Sequence, residues 1–65
     1  MNGEEIYKLA IETTEQEFNN LFNLFNESEE KMFNSLVNLG DEKKVALWTV
    51  ISHRYETVKA TQMQD

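Results

Sequence analysis

The sequence predicts an all-α protein, folded as one small helical domain over residues 1–65. Proline is absent and glycine occurs only at Gly3 and Gly40, so few residues interrupt a helix. Glutamate, leucine, lysine and glutamine, which favour helices, are frequent. Apolar side chains recur at three- and four-residue spacing, which is typical of one face of a helix.

The first helix begins with a capping signal. Asn2 suits the N-cap position, and Glu5 suits the reciprocal position of a capping box. At about 100° per residue, a long set of apolar side chains falls within about 60° of Phe18 around the helix. The set consists of Tyr7, Ile11, Leu21, Phe22, Phe25, Met32, Phe33, Leu36 and Leu39. Because this stripe keeps its phase, we predict one long helix over residues 3–39.

The alternative is a kink or a break near residues 26–29. The segment "NESEE", residues 26–30, offers Asn26 or Ser28 as a new N-cap. A full break would let the first part of the chain fold back and form a three-helix bundle. We favour the continuous helix, since the apolar stripe stays in phase across this segment.

Gly40 marks the clearest break in the sequence. It suits the left-handed position after a helix, and Asp41 suits the cap of the next helix. We expect the last helix to run from Glu42 to about residue 59 or 62. Its predicted apolar face consists of Leu47, Trp48, Ile51, Tyr55 and Val58. Trp48, a large side chain in the middle of this face, is predicted to be the centre of the core.

A short connection at Gly40 makes the two helices antiparallel neighbours in a helical hairpin. Folding the chain there places Glu29, a polar residue on the apolar stripe, near Arg54 and Tyr55. The guanidinium of Arg54 or the hydroxyl of Tyr55 can satisfy its carboxylate. Equally, Glu29 can lie at a helix start, where the dipole favours negative charge.

The two predicted helices differ in length, at roughly 55 Å and roughly 30 Å. Tyr7 and Ile11 would therefore extend beyond the last helix without apolar cover. With 65 residues and no cysteine, a second chain is the stabilising device that remains. We predict an antiparallel homodimer, because residues 1–30 carry a net charge of −7 and residues 31–65 one of +1. Basic side chains of the second half would receive the acidic front: Lys31, Lys43, Lys44 and Arg54.

Phenylalanine is followed by asparagine four times, at Phe18, Phe22, Phe25 and Phe33. Asparagine is a poor helix former, so Glu or Lys would serve better at a merely exposed position. On a continuous helix Asn19, Asn23 and Asn26 form a polar flank beside the phenylalanine stripe. This flank is interpreted as solvated surface, and the alternative is a second contact surface.

No constellation of catalytic residues is present, so we expect no enzyme. The sequence has no Gly-rich phosphate loop, no zinc-protease motif and a single histidine. No cofactor and no metal site are expected. We expect no signal peptide, no membrane span and a cytoplasmic location, which the lack of cysteine fits.

The function predicted is that of a protein-interaction module, which binds and inhibits or modulates a larger protein partner. The acidic charge argues against direct binding of nucleic acid. The predicted partner or dimer interface consists of Tyr7, Ile11, Phe18, Phe22, Glu12 and Glu15. One alternative function is that of a nucleic-acid mimic, in which carboxylates along a rigid helix replace phosphates. The carboxylates would be those of Glu4, Glu12, Glu15, Glu27 and Glu30. The other alternative is a structural oligomerisation subunit.

Overall fold

The computed structural model describes the backbone of residues 2–63 and the side chains of residues 2–56. The described residues form four helices and no strand, so the all-α prediction is confirmed. The helices are α1 (Gly3–Glu12), α2 (Glu15–Phe22), α3 (Glu27–Asn38) and α4 (Lys43–Met63). Their Cα atoms have a radius of gyration of 12.1 Å and extents of 37 × 25 × 23 Å.

The prediction of one continuous helix over residues 3–39 is wrong. The chain leaves the helical conformation after Glu12 and again after Phe22, and each restart carries a capping box. At the first restart, the Thr14 hydroxyl accepts from the Glu17 N–H and the Glu17 carboxylate accepts from the Thr14 N–H, both at 3.1 Å. These reciprocal bonds satisfy backbone donors that a helix start leaves unpaired.

The second restart is the one that the sequence offered as an alternative. Asn26, rather than Ser28, is the N-cap of α3, and its side chain accepts from the backbone N–H of Glu29 at 2.8 Å. The Glu29 carboxylate accepts in return from the backbone N–H of Asn26 at 3.0 Å. The chain thus forms four helices instead of the two or three predicted.

The break after α1 changes which face of this helix is buried. Ala10 is buried, as is Thr13 just beyond the helix, whereas Tyr7 and Ile11 are exposed. In a continuous helix, the buried face would lie about 120° away from the Phe18 stripe. The constant phase of the apolar stripe did not predict a continuous helix correctly, because α1 carries two apolar faces. The break after Glu12 lets α1 bury the face of Ala10 instead of the face of Tyr7 and Ile11.

Helix α4 is the central element, and each of the other helices packs against it. The segment "VALWTVI", residues 45–51, is apolar on most sides, as expected for a helix surrounded by neighbours. The buried core consists of Phe33, Ala46, Leu47 and Val50.

The prediction that Trp48 is the centre of the core is wrong. Leu47 and Val50 are fully buried, whereas Trp48 is half-buried and packs against the core cluster. Tyr55 is exposed, although it was assigned to the apolar face. The side chain of Val58 lies outside the described residues.

The phenylalanines of α2, of α3 and of the connection between them pack together beside α4. The ring centroids of Phe22 and Phe33 lie 5.0 Å apart, in an edge-to-face arrangement, and those of Phe22 and Phe25 lie 5.6 Å apart. Phe18 contacts the rings of Phe22 and Phe33. Such aromatic pairs stabilise a core beyond their buried area.

The three asparagines of the predicted polar flank do not lie on one continuous helix, and only Asn19 lies within a helix, α2. Asn23 is the C-cap of α2 and Asn26 is the N-cap of α3, so both lie where helices end or begin. These positions remove the apparent cost of asparagine, because its side chain favours caps and turns over helix interiors.

Gly40 forms the predicted turn, with φ at 112°. The Asp41 N–H donates to the Leu36 carbonyl at 3.1 Å, and the Gly40 N–H donates to the Val37 carbonyl at 3.0 Å. These two bonds define a Schellman motif after the C-cap residue Leu39. The first backbone bond of α4 runs from Ala46 to the carbonyl of Glu42, so Glu42, not the predicted Asp41, is the residue that precedes the helix.

Candidate protein-binding surface

A groove separates α1 from the beginning of α4. Its volume is about 230 Å³, and it is lined by Tyr7, Ala10, Ile11, Glu42, Lys44 and Val45. Tyr7 is 56% exposed and Ile11 is 73% exposed. We call this feature the Tyr7 groove.

The local sequence explains why two large apolar side chains stand at its edge. Tyr7 and Ile11 are four residues apart and therefore neighbours on one side of α1. Ala10 and Thr13, on the adjacent side, are the residues buried against the rest of the protein. Because the small Ala10 side chain fills little space, α1 and α4 leave a depression between them.

A second groove of about 230 Å³ lies beside the first. It is lined by Glu15, Phe18, Asn19, Lys43 and Lys44, and we call it the Phe18 groove. Lys44 lines both grooves, so they form one surface that passes from α1 across the start of α4 to α2. In the Phe18 groove, the apolar lining is the half-buried side chain of Phe18.

Charges of both signs border this surface. Glu15 and Glu42 line the grooves together with Lys43 and Lys44. The pKa of Glu17 lies below its ordinary value, mainly because its carboxylate accepts the Thr14 backbone N–H and bonds to the Thr14 hydroxyl, and further because of the positive charge of Lys44. Lys44 is thus the cation that faces both the grooves and α2.

The structure brings together four of the six residues predicted for the interface. Tyr7 and Ile11 line the first groove, and Glu15 and Phe18 line the second. Glu12, the last residue of α1, is exposed but lines neither groove.

Phe22, the sixth predicted residue, lies elsewhere. It is half-buried and packs against the rings of Phe18, Phe25 and Phe33, so it belongs to the interior of the protein.

Sequence reasoning missed the contribution of α4 to this surface. Val45 was not assigned to it, and Lys44 was assigned only as a cation that would receive the acidic front of a second chain. A continuous first helix would have carried Tyr7 and Ile11 away from both. The signal that locates these residues is the Thr14–Glu17 capping box, which ends the continuous helix and returns α1 to α4.

The basic side chains expected to receive a second chain are partly engaged within this one. The Arg54 Nε lies 2.8 Å from Oε2 of Glu29. The Lys31 Nζ lies 3.8 Å from Oε1 of Glu27, in an exposed pair one helical turn apart. The charge argument for an antiparallel dimer therefore loses part of its basis.

Over residues 2–56, no group of three or more His, Cys, Asp or Glu side chains is placed to hold a metal ion. No helix in the described part of the chain has both the length and the apolar character needed to cross a membrane. No known protein family, curated protein or solved structure matches this chain.

Proposed function

We propose that this chain is a small acidic helical module that binds a larger protein partner, and inhibits or modulates it, through the Tyr7 groove. The observation that carries this proposal is the exposure of Tyr7 and Ile11 beside that groove. Covering a large apolar side chain gains roughly 1.5–3 kcal/mol. Adjacent exposed apolar side chains with a polar border are typical of protein-binding sites.

The size of the groove favours a protein over a small molecule. Its volume of about 230 Å³ lies below the range of roughly 300–1,000 Å³ found for pockets that enclose drug-sized ligands. It suits one apolar side chain of a partner, with Tyr7 and Ile11 packing on either side. An acidic side chain next to that anchor would pair with Lys44, and helix-in-groove docking provides such an arrangement.

A pull-down with three baits tests this proposal in lysate of the source organism. The baits are the wild type, a Tyr7→Ser/Ile11→Ser double variant and a Leu24→Ser control. Leu24 is 67% exposed in the turn between α2 and α3 and lines neither groove, so the control loses apolar surface at a different place.

A defined partner should be captured by the wild type and by Leu24→Ser, and lost with the double variant. Equal capture by all three baits would show that the Tyr7 groove is not the binding site. Circular dichroism of each bait verifies that the helices remain folded, which exposed substitutions of this kind should allow.

The same pull-down at low and high salt addresses the nucleic-acid mimic. That alternative depended on carboxylates along one rigid helix, but Glu4 and Glu12 lie on α1, Glu15 on α2, and Glu27 and Glu30 on α3. A mimic's partner would be a basic protein that is released at high salt. A partner held by apolar contacts should remain bound.

The structural-subunit alternative makes a different prediction for the isolated chain. A subunit that depends on its assembly should fold poorly alone, whereas a binding module should unfold cooperatively as a purified protein. We place the module in a reducing compartment such as the cytoplasm, since the sequence has no cysteine.

A further inference from the structure

Helix α1 is attached to the protein but does not take part in its main core. The core cluster and the partly buried side chains around it come from α2, α3, α4 and the turn at Phe25. Within α1, Ala10 is the buried residue. Beyond it, Thr13 accepts a hydrogen bond from the Trp48 indole N–H at 2.7 Å. Helix α1 thus packs against α4 without contributing a side chain to the core cluster.

The connection from α1 to α2 requires little change to become helical. Thr13 has φ at −77° and ψ at 123°, and Thr14 has φ at −76° and ψ at 163°. Both φ values are already close to those of a helix, so rotation of ψ at two residues would join the two helices. No glycine or proline lies between residues 4 and 39 to oppose this.

The apolar stripe supports a joined form of α1 and α2. In one helix over residues 3–22, Tyr7 and Ile11 would fall within about 20° of Phe18, on the face with which α2 packs against the core. In the structure, the break directs both side chains to solvent. The part of the apolar stripe that lies on α1, Tyr7 and Ile11, is thus left uncovered in the closed chain.

We propose that α1 is exchanged between two copies of this chain. In the exchanged dimer, α1 continues α2 as one helix and packs on the α4 of the second copy. There it regains the contacts it makes in the closed chain, including the hydrogen bond from the indole of Trp48 to Thr13. Because the site that receives α1 is identical in both copies, a second copy is the partner that fits it without any new contact.

The exchange balances two sets of interactions. The closed chain keeps the Thr14–Glu17 capping box and the attraction between Glu17 and Lys44. The exchanged dimer gains helical backbone bonds across residues 13–17, and it aligns Tyr7 and Ile11 with Phe18 along one continuous helix. A connection of only two residues is the kind of short hinge that favours such swapping. This inference goes beyond the proposed function, since it concerns the purified chain alone.

Two variants shift this balance in opposite directions. Glu15→Pro places proline at the first position of α2, where its fixed φ and missing N–H are tolerated, and Thr14 already has the extended ψ that precedes proline. The same proline is incompatible with a continuous helix. Glu15→Ala is the matched control, because it removes the same carboxylate without that constraint. Thr14→Ala removes the capping box and favours the joined helix.

Sedimentation equilibrium over a concentration series measures the result. We expect Thr14→Ala to dimerise about tenfold more tightly than the wild type, with more helix by circular dichroism. We expect Glu15→Pro to dimerise more weakly than Glu15→Ala while retaining wild-type helix content. Equal dimerisation of Glu15→Pro and Glu15→Ala would overturn the exchange, because the dimer would then form between closed chains. Monomeric behaviour of both the wild type and Thr14→Ala at high micromolar concentration would also overturn it.

The proline variant also separates this inference from the proposed function. Because Glu15 lines the Phe18 groove, capture by Glu15→Pro is compared with capture by Glu15→Ala, which lacks the same carboxylate. Both variants leave Tyr7 and Ile11 exposed in the closed chain, so they should capture an outside partner equally. Loss of exchange with retained capture would support both ideas. Retained dimerisation with lost capture would contradict both.

Discussion

The carboxylate of Glu29 lies 2.8 Å from the Nε of Arg54 and joins α3 to α4. Its other oxygen accepts the backbone N–H of Asn26 at the start of α3. Two interpretations of Glu29 that the sequence offered as alternatives are therefore true together. The side chain both caps its own helix and pairs with the neighbouring one.

Substitutions at Glu29 should separate these two roles. Glu29→Gln keeps an oxygen for the Asn26 N–H but loses the charge facing the half-exposed Arg54, which should cost about 1 kcal/mol. Glu29→Ala loses both interactions and should cost about 2 kcal/mol. Urea unfolding measures both values. In an Arg54→Met background, Glu29→Gln should become nearly neutral, and an unchanged cost there would show that the ion pair contributes nothing.

The hydrogen bond from Trp48 to Thr13 should hold α1 in place. Thr13→Val removes the acceptor and leaves the indole N–H to water or without a partner, so we expect a loss of at least about 1 kcal/mol. Thr13→Ser keeps the hydroxyl and is the control. Because Trp48 is the chain's single tryptophan, its fluorescence reports this site directly. Equal destabilisation by Thr13→Val and Thr13→Ser would mean that the hydrogen bond from Trp48 does not contribute to stability.

Any substitution of Gly40 should destabilise the protein, because of the backbone conformation at this position. A Cβ at Gly40 would meet no atom within 4 Å, so a penalty must come from its φ of 112° and not from a clash. We expect Gly40→Ala to destabilise by about 1–2 kcal/mol and Gly40→Val to do so by more. Gly3→Ala, in the first turn of α1, is the control and should be neutral or stabilising. Neutral behaviour of Gly40→Val would contradict the Schellman turn.

The capping box at Thr14 should make stability depend on pH. Bonds from Thr14 lower the folded-state pKa of Glu17 below its ordinary value near 4.5. A folded pKa below the unfolded one means that the stabilisation is fully present above the unfolded pKa and is lost as the pH falls through the folded pKa. Glu17→Gln should therefore be less stable than the wild type at pH 7, and the difference should shrink on acidification below about pH 4.5. A difference that is constant from pH 7 to pH 3 would contradict this assignment.

Helix caps and turns could be predicted from the sequence more accurately than the packing of the helices that they connect. Asn26 with Glu29 and Gly40 with its turn are short-range features, and each forms as its own residues require. Thr14 with Glu17 carries the same capping signature, which the sequence analysis did not identify because the apolar stripe predicts a continuous helix there. Ala10 belongs to a second apolar face on α1, and periodicity alone cannot decide which face will be buried.

The centre of the core and the candidate surface required information on which helices surround α4. Trp48 was predicted to be the centre of the core because of its size. Leu47 and Val50 are the fully buried residues instead, because neighbouring helices cover their side of α4. The sequence alone identified Tyr7 and Ile11 as apolar residues that no other part of the chain covers. Their neighbours across the groove could not be identified, since those depend on the direction in which α1 returns after residue 12.

The position of α1 also has a consequence for the order of folding. Thr13 and Trp48, which join α1 to α4, are 35 residues apart in the chain, whereas α3 and α4 meet across the short turn at Gly40. Closing the longer loop costs more entropy, so we expect the α3–α4 pair to form early and α1 to dock last. Pulsed hydrogen exchange should then protect the amides of α4 before those of α1, and simultaneous protection would contradict this order. Ala10→Gly, on the buried face of α1, should accelerate unfolding while leaving the folding rate nearly unchanged.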